Sequence, residues 1–576
     1  MTNQELAAVF DMIADLLELK GESVFRINAY RRAAQSLNDL GRDVNTLHRE
    51  GRLREITGVG EAIAEKIAEL LTTGQLGYLE KLKAEFPAGL ADVLKVDGVG
   101  PKKAVLFWKE LGITSLTELK AAGEAGRLAS LPGMGAKSQS RILAGIESLG
   151  RRATGRTSIG RAWPIARELL VRLRALPGVE AAEVAGSLRR WRPTIGDIDL
   201  LAASSDPAPV MQAFVTMPEV VRVSGKGETK SSVELAGGLK AQLWVYPPER
   251  FGTALQYATG SKEHSVRLRE LALKKGLSLS DQALTRKDGK EILYATEEEV
   301  YLKLGLSYVP PELREDRGEI QAALEDRLPV LVEQGDINAE LHAHSTWSDG
   351  ARSIQEMAEA AIRRGLGLLA ITDHSQSLGV TGGLTTARIR EQRKEIDRVQ
   401  KKIGSKLKLL QGAEVEIRAD GALDYDDQVL AELDIVVASL HSTLRQERGR
   451  ITERLLKAVR NPHVDIIGHP TGQLVGERDP ADLDMEAILA GAAESGVALE
   501  INANPARLDL NDTYARRALD LGCLLAINTD AHHPDHFEFI EYGIATARRG
   551  WATPDRIINA WSPAELGKWL SKRSSD

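Results

Sequence analysis

The sequence predicts a multidomain protein with a helical N-terminal region, a central α+β region and a C-terminal distorted α/β barrel. Three observations support this order. Residues 1–150 carry apolar side chains at helical spacing, residues 163–305 mix helix and strand patterns, and the chain after residue 335 alternates apolar strands with helices. A chain of 576 residues suffices for three to five such units.

The composition is that of a globular protein, with 43% hydrophobic and 27% charged residues. The single cysteine, Cys523, excludes a disulfide within the chain, and acids within the N-terminal helical pattern argue against a signal peptide. No uncharged apolar run reaches the roughly 18 residues of a membrane span. We therefore expect a cytoplasmic, monomeric protein without a membrane partner.

Charge is distributed unevenly along the chain, with a net +2 in residues 1–160, zero in 161–330 and −9 in 331–576. The total of −7 by itself argues against nucleic-acid binding. However, basic residues cluster in the first two regions, as in Arg189-Arg190. Locally basic faces can neutralise phosphates despite an acidic total, although each cluster alone is equally consistent with a solvated surface.

A glycine pair around one apolar residue occurs three times in the helical region, each time before a helical pattern. Glycine permits the positive φ of a tight turn, and the next helix start presents unpaired N–H groups that bind phosphate. Three pairs at one helical phase predict helix-hairpin-helix contacts to the DNA backbone without sequence selectivity. The predicted DNA-binding glycines are Gly58, Gly60, Gly98, Gly100, Gly133 and Gly135.

The central region contains two aspartates, Asp197 and Asp199, whose spacing places both side chains on one face of a strand. Adjacent carboxylates repel unless a cation lies between them, so the pair predicts a Mg2+ or Mn2+ site. Gly186 and Ser187 end the preceding strand, and the arginines after them suit a triphosphate. The pattern favours a nucleotidyltransferase palm over an acidic surface loop.

Nine metal-binding side chains follow residue 335, and each closes or follows a short apolar run. They include six of the 11 histidines, so scattered core or surface histidines explain them poorly. The C-terminal ends of parallel barrel strands share one rim, where these ligands should meet. Nine ligands exceed one ion and predict two or three Zn2+, Mn2+ or Fe ions that hydrolyse a phosphate ester. The predicted ligands are His342, His344, Asp349, His374, Glu414, His441, His469, Asp530 and His532.

The motifs H-x-H, S-D-G, T-D-H, G-A-E, S-L-H, G-H-P and T-D-A-H, between about residues 338 and 569, resemble a PHP (polymerase and histidinol phosphatase) domain. Every position at which that family ligates its trinuclear centre is filled here. The resemblance implies a metal-dependent phosphoesterase and leaves the identity of the ester open.

Residues 1–310 resemble family X DNA polymerases. The resemblance implies that Asp197 and Asp199 hold the catalytic metal and that the stretch from Lys226 to Lys230 belongs to the palm. In the family's Y-F-T-G-S motif, Ala258 replaces the usual phenylalanine. The positions that match nucleotide-binding residues of the family are Ser187, Arg190, Tyr257, Gly260, Ser261 and Arg269.

The N-terminal stretch F-R-I-N-A-Y-R-R-A-A resembles the lyase domain of DNA polymerase β. Arg26 and Tyr30 match phosphate-pocket positions, which implies contacts to DNA. Lys66 matches the lysine that forms the Schiff base, chemistry that requires a lysine with a lowered pKa. Ala62 replaces a neighbouring basic residue, and an ordinary surface lysine explains Lys66 equally well.

One position departs from the family. Gln242 stands where the third catalytic aspartate belongs, and its amide supplies neither charge nor a general base. Glu234 is the nearest other carboxylate. A two-residue hairpin at Gly237-Gly238 would pair Glu234 with Ala241 and direct it to the opposite face.

These resemblances imply a DNA repair enzyme in which a gap-filling DNA polymerase using dNTPs is fused to a 3′-5′ exonuclease or 3′-end-cleaning PHP domain. Its partners would be DNA gaps, nicks and 3′ ends. The predicted domains are lyase-like (1–85), helix-hairpin-helix (86–150), palm (160–250), thumb-like (251–310) and PHP (336–576).

Two alternatives belong to other classes. One is a DNA-binding repair nuclease with a weak or vestigial polymerase core, which Gln242 favours. The other is a small-molecule phosphatase with an accessory module, which the three glycine hairpins disfavour.

Overall fold

The computed structural model describes residues 1, 3–38, 44–56, 58–87, 89–94, 96, 99–152 and 156–573. The chain divides into two compact units, Met1–Gly155 and Arg156–Asp576. Each unit is described by itself. Among the described residues, no helix is long and apolar enough to cross a bilayer.

The first unit is helical, as its apolar spacing predicts. Buried side chains such as Phe10, Ile67 and Phe107 form one continuous core. Glycines in the left-handed conformation, Gly74 and Gly112, end two of the helices. Its helices are α1 (Asn3–Lys20), α2 (Val24–Asn38), α3 (Val44–Arg49), α4 (Glu61–Thr73), α5 (Gly77–Lys83), α6 (Leu90–Leu94), α7 (Pro101–Leu111), α8 (Leu116–Glu124) and α9 (Ala136–Arg152).

The second unit begins with an α+β region built on a five-stranded sheet of order β2-β4-β7-β6-β5, while β1 pairs with β3. Its strands are β1 (Thr157–Ser158), β2 (Ala181–Val184), β3 (Thr194–Ile195), β4 (Ile198–Ala203), β5 (Val220–Lys226), β6 (Lys230–Leu235) and β7 (Lys240–Tyr246). Its helices are α10 (Ile159–Arg174), α11 (Gly186–Arg189) and α12 (Pro207–Val215).

Two elements of this sheet region depend on packing more than on local sequence signals. Helix α10 begins at Ile159, ahead of Pro164, because Ile159 and Ala162 are buried in the core beside the sheet, and packing overrides the N-terminal preference of proline. Strand β5 lies at the sheet edge with exposed valines such as Val221 and Val223. An exposed edge strand lacks the apolar alternation that marks a strand in sequence.

A smaller region follows, in which four helices flank a three-stranded antiparallel sheet. The helices are α13 (Phe251–Thr259), α14 (Lys262–Lys274), α15 (Glu297–Lys303) and α16 (Glu319–Leu324). The strands are β8 (Leu277–Leu279), β9 (Leu284–Arg286) and β10 (Glu291–Ile292). The fully buried pair His264 and Tyr301 joins α14 to α15.

The C-terminal region is a seven-stranded parallel sheet in sequential order, β11 to β17. A parallel bridge between Ala343 and Ala531 brings the first and last strands together, so the barrel is nearly closed, as predicted. Strands such as Leu368–Ile371 are buried throughout, which is typical of parallel sheets covered on both faces. The strands are β11 (Ala339–Glu340), β12 (Leu368–Ile371), β13 (Lys408–Glu416), β14 (Ile435–Ser439), β15 (Ile466–Gly468), β16 (Ala498–Asn502) and β17 (Leu524–Asn528).

Helices cover the outside of this barrel. The first of them, α17, starts with a capping box in which Ser353 and Glu356 satisfy each other's backbone N–H groups. The helices are α17 (Ile354–Arg363), α18 (Thr386–Ile403), α19 (Asp427–Leu430), α20 (Arg448–Val459), α21 (Met485–Ser495), α22 (Asp512–Asp520), α23 (Ile540–Arg549) and α24 (Pro563–Arg573).

Within the second unit, the five-stranded sheet region packs directly on the barrel. Leu508 and Tyr542 of the barrel belong to the apolar core of the sheet region. A side chain at Gly160 would place its Cβ 2.6 Å from Pro505 Cβ, so glycine permits the close approach of α10 to the barrel.

Candidate functional site

The rim of the barrel brings the predicted metal ligands together. Eight of the nine supply atoms that lie within 4.8 Å of one another in three overlapping groups. The groups are His344, Asp349, His374 and His532; His342, His344, Glu414 and Asp530; and His374, Glu414 and His441. The ninth, His469, places Nε2 2.8 Å from Glu414 Oε1. Glu414 lies within β13, and the other predicted ligands lie in the segments that follow β11, β12, β14, β15 and β17.

Glu414 lies at the centre of this cluster. His374 Nδ1 is 2.9 Å from its Oε2, and His441 Nε2 is 3.0 Å from its Oε1. His342 Nε2 lies 3.4 Å away and has no hydrogen-bond partner within the described part of the chain. His374 Nδ1 likewise makes no hydrogen bond within the described residues, so two buried ring nitrogens face this carboxylate unsatisfied. The donor set therefore fits divalent cations held between the rings and the carboxylates.

The charges of the cluster support this interpretation. Burial would raise the pKa of Glu414, but His441, His342 and His374 hold it well below its usual value. Burial, together with His532 and His374, lowers the pKa of His344 to about 3. Burial would lower the pKa of His342, His374 and His441, but the neighbouring carboxylates raise it. Metal ions bind ionised carboxylates and neutral imidazoles, so a bound cation would replace the protons on these rings.

Two buried carboxylates that the sequence interpretation missed orient the ligands. Glu500 Oε1 accepts a hydrogen bond from His342 Nδ1 at 2.7 Å, and Glu416 Oε2 lies 2.8 Å from His441 Nδ1. Such partners fix the tautomer and direction of a ligating imidazole. The available signal was an acidic residue within a buried barrel strand.

Arginines also lie beside the cluster. Arg507 Nε is 3.6 Å from Asp530 Oδ2. Burial, with the nearby charges of Arg507 and Arg445, lowers the pKa of Arg478 to about 10. Guanidinium groups bind phosphate oxygens well, so this side of the rim is suited to an anionic substrate. The sequence patterns did not single out these arginines.

On the five-stranded sheet, the structure brings Asp197, Asp199 and Gln242 together. Asp199 pairs with Gln242 across β4 and β7. The amide Nε2 of Gln242 donates a hydrogen bond to Asp197 Oδ2 over 2.7 Å. Burial and Asp197 raise the pKa of Asp199 to about 7, as expected for two carboxylates that lie close together. The two aspartates therefore fit a divalent cation.

The expectation that Glu234 faces away from Gln242 is wrong. Residues Ala236–Gly238 form a short 3-10 turn, and Glu234 consequently pairs with Lys240, while Ser232 pairs with Gln242. Residues two apart share a face, so Glu234 lies on the same face as Gln242. Its carboxylate accepts hydrogen bonds from Arg222 at 2.6 and 3.0 Å, one strand further from the aspartates.

The predicted nucleotide-binding residues surround the start of α14. Arg190 donates from Nη1 to the carbonyl of Thr259 and from Nε to Glu315 Oε1 at 3.2 Å. A Cβ at Gly260 would lie 3.0 Å from Arg190 Nη1, which brings these two positions together. The other positions are Ser187 in α11, the half-exposed Tyr257, Ser261 as the N-cap of α14, and Arg269, whose Nε bonds to Ser265 O.

The glycine turns of the first unit lie before helices, as predicted. Gly60 and Gly100 are the N-caps of α4 and α7, and Gly135 precedes α9. Gly58 and Gly133 have the positive φ expected of a tight turn. A Cβ at Gly60, Gly100, Gly133 or Gly135 would meet no atom within 4 Å, so these backbones are open to a ligand. Gly98 lies outside the described residues.

The predicted lyase residues gather around Tyr78, which the sequence interpretation did not name. Arg26 Nη2 donates to Tyr78 OH at 3.0 Å, and the Tyr30 ring stacks on Tyr78 with centroids 6.1 Å apart. Lys66 Nζ lies 5.2 Å from the centre of the Tyr78 ring and bonds to Ala62 O. Burial raises the pKa of Tyr30 to about 12, so this phenol remains neutral.

Comparison with known proteins agrees with this organisation. Family models match a helix-hairpin-helix domain at residues 1–76, a SAM-like helix-hairpin-helix tandem at 90–148, a DNA polymerase beta thumb at 254–315 and a PHP domain at 340–504.

Some relatives cover the whole chain and others cover part of it. The chain is 38% identical over 575 residues to the DNA polymerase/3′-5′ exonuclease PolX of Bacillus subtilis (strain 168), covering 99% of this chain and 100% of that protein. It is 30% identical over 230 residues to a probable phosphatase of Thermoanaerobacter sp. (strain X514), covering 38% of this chain and 88% of that protein. The whole-chain relative and the matched regions together show that the chain belongs to the family X DNA polymerases with helix-hairpin-helix domains, a polymerase beta thumb and a C-terminal PHP domain.

Proposed function

We propose that the protein is a DNA repair enzyme that fills gaps by template-directed nucleotidyl transfer and trims 3′ ends in its PHP barrel. The observation that carries the proposal is the presence of two separate carboxylate centres in one chain, the Asp197–Asp199 pair and the nine-ligand rim. The relative that matches the whole chain is named as both a polymerase and an exonuclease.

In the barrel, the nine rim ligands would hold two or three Zn2+, Mn2+ or Fe ions, which supply Lewis-acid and water-activating chemistry when bound. Glu500 and Glu416 orient His342 and His441 toward that position. Arg507, beside Asp530, is placed to neutralise the scissile phosphate of a 3′ end.

In the palm, Asp197 and Asp199 would hold Mg2+ or Mn2+, which supplies the positive charge that phosphoryl transfer requires. Ser187 and Arg190 would bind the triphosphate of an incoming dNTP, and Tyr257 and Gly260 would line its sugar. Gln242 acts on the site through its hydrogen bond to Asp197, as a neutral substitute for the third carboxylate. Arg269 would contact the templating side.

The remaining assignments concern DNA. The open glycine turns before α4, α7 and α9 would bind backbone phosphates of a gapped or nicked duplex. Arg26 and Tyr30 would form a phosphate pocket around Tyr78, and Lys66 would act as a lyase nucleophile beside it. We assign the domains as 1–85, 86–150, 160–250, 251–310 and 336–576, and propose a monomer that acts in the cytoplasm.

The two alternatives are weaker. The probable phosphatase of Thermoanaerobacter sp. matches 38% of this chain, and a small-molecule phosphatase leaves the matched polymerase beta thumb without a role. A nuclease with a vestigial polymerase core is not favoured, because the whole-chain relative named as a polymerase covers the palm and thumb as well.

The test is a pair of assays on one preparation of the full chain. Primer extension on a one-nucleotide gap, in Mg2+ and then in Mn2+, measures the palm, and digestion of a labelled single-stranded 3′ end measures the barrel. We expect Asp197→Asn with Asp199→Asn to abolish extension alone. Persistence of extension in that variant would refute the palm assignment.

A further inference from the structure

A buried charge network connects the PHP barrel to the predicted triphosphate arginine. Glu315 Oε1 accepts from Arg190 Nε at 3.2 Å and from Arg549 Nη1 at 3.0 Å. Arg192 Nη1 lies 3.9 Å from the same oxygen. Arg549 belongs to α23 of the barrel, so a barrel residue and a nucleotide-site residue share one carboxylate oxygen.

Arg549 is held firmly in this position. Only 1% of its side chain is exposed. Its Nη2 donates to Asp512 Oδ2 at 2.8 Å, and its Nη1 also donates to the backbone carbonyl of Arg190 at 2.5 Å. Arg317 binds the same oxygen of Asp512 at 2.9 Å. Two acids and a carbonyl bind both Nη groups of this buried arginine, which compensates its charge.

Arg190 binds Glu315 through Nε and the Thr259 carbonyl through Nη1, so a triphosphate competes with Glu315 for this guanidinium. A buried carboxylate that loses its only cation is strongly destabilised. Glu315 avoids this state because Arg549 remains on the same oxygen, with Arg192 3.9 Å away, after Arg190 turns away. The positive charge of Arg549 also repels Arg190, which favours its transfer to an anionic ligand.

We propose that Arg549 is a positioning residue for nucleotide incorporation: it shares Glu315 and thereby releases Arg190 to the incoming triphosphate. The PHP barrel then contributes to dNTP affinity through a residue outside its own metal cluster. This inference rests on the proposed role of Arg190 as a triphosphate ligand.

The first test is Arg549→Met in the full-length protein, with single-turnover gap filling in Mn2+ to separate apparent dNTP affinity from the maximal rate. Without Arg549, Glu315 holds Arg190 more tightly. We expect the apparent dNTP Kd to rise about tenfold, a smaller change in maximal rate and unchanged exonuclease activity. The matched control is Arg548→Met, since its neighbour Arg548 bonds to Glu312 and Val332 O instead of Arg190. The control should keep its dNTP Kd within about twofold.

The deciding variant adds Glu315→Gln to Arg549→Met. A neutral amide no longer retains Arg190, so we expect the dNTP Kd to return toward its natural value. If Arg549 only stabilises the packing, the second substitution leaves the Kd raised or raises it further, and the inference is overturned. An unchanged Kd in Arg549→Met overturns it as well.

Two further variants keep the outcomes distinguishable. If Arg549→Met does not fold, Arg549→Lys is the substitute, because lysine keeps the charge but cannot bind Glu315 and Asp512 through two separate Nη groups. Rescue of its dNTP Kd by Glu315→Gln then decides the question in the same way. Arg190→Met tests the underlying assignment. If that variant leaves the dNTP Kd unchanged, the proposed nucleotide site fails, whatever Arg549 does.

Discussion

In the palm, the amide Nε2 of Gln242 donates a hydrogen bond to Asp197 Oδ2. One carboxylate oxygen of the two predicted metal-binding aspartates therefore faces a hydrogen-bond donor. The nearest carboxylate on the same face, Glu234, is bound by Arg222. Within the described part of this sheet, no third carboxylate joins Asp197 and Asp199 in a metal-type cluster. The palm therefore has less negative charge for a second cation than three aspartates would supply.

We predict that Gln242→Asp raises gap filling in Mg2+ by about a hundred- to a thousandfold, the usual worth of one electrostatic contact in a transition state. The substitution removes the donor on Asp197 and adds a charge. The natural protein should extend slowly and depend on Mn2+, which binds such a site more tightly than Mg2+. Single-turnover extension measures the change, with Gln242→Asn as the neutral control. An unchanged rate in Mg2+ would contradict this role.

At the scale of secondary-structure elements, the glycine turns can be substituted to test DNA binding without a change of fold. The backbones of Gly60, Gly100 and Gly135 lack the positive φ that makes a side chain costly, and a Cβ there meets no atom within 4 Å. Replacement by alanine should therefore leave the fold intact while it obstructs the helix starts behind the turns.

We predict that the triple variant Gly60→Ala, Gly100→Ala and Gly135→Ala binds gapped DNA more weakly by about tenfold, equally for unrelated sequences, with a shallower salt dependence. Fluorescence anisotropy across a salt series measures both effects. Gly567→Ala, at an equally open position in α24, is the control. A loss confined to some DNA sequences would be inconsistent with phosphate contacts.

The link between α14 and α16 depends on a buried histidine. His264 Nδ1 lies 2.6 Å from Glu319 Oε1, and its Nε2 lies 2.8 Å from Tyr301 OH. Burial lowers the pKa of His264 despite the attraction of Glu319. The neutral ring donates from Nδ1 to the carboxylate and accepts from the phenol.

Because the folded pKa of His264 lies below its unfolded value of about 6.5, the unfolded state binds more protons in acid. The stability of this region should therefore be fully present above about pH 6.5 and fall as the pH drops through the lowered folded pKa. Hydrogen exchange of α14 amides between pH 5 and 7.5 would show this, after correction for the intrinsic exchange rate. His264→Gln should flatten the pH dependence of this stability. Equal slopes in the natural protein and in the variant would contradict the role of His264.

At the scale of the whole molecule, the two centres lie in one compact unit but on different elements, the palm sheet and the barrel rim. Their chemistries should therefore be separable by substitution. His342 and His344 both belong to one of the three predicted ligand groups of the barrel, so their removal should disrupt metal binding there.

We predict that His342→Ala with His344→Ala abolishes 3′-end digestion and leaves gap filling within about twofold, because the palm retains its own cation site. Metal analysis of the purified variant should show the loss of bound ions. Asp434→Asn is a control, since this carboxylate binds Arg393 and lies outside the three ligand groups. Normal digestion by the double variant would contradict the assignment of the nuclease activity to the barrel.

The amino-acid sequence by itself determined the order of the regions, the barrel and the composition of its metal cluster. Apart from Glu414, which lies within β13, the predicted ligands come after barrel strands. The C-terminal ends of parallel strands must share a rim, so spacing along the chain becomes proximity in space. The same local logic located Asp197 and Asp199 on one strand face and the glycine turns before their helices.

Only the tertiary structure decided the contacts that depend on register and packing. A 3-10 turn after β6 shifted Glu234 by one position, which reverses the face it occupies. Glu416 on β13 reaches His441 after the neighbouring strand β14, and Glu500 on β16 reaches His342 after β11 because the barrel nearly closes. Arg549 reaches the backbone of Arg190 across 359 positions of sequence. No periodicity encodes such a contact, because it arises from the packing of α23 of the barrel against the palm and thumb region.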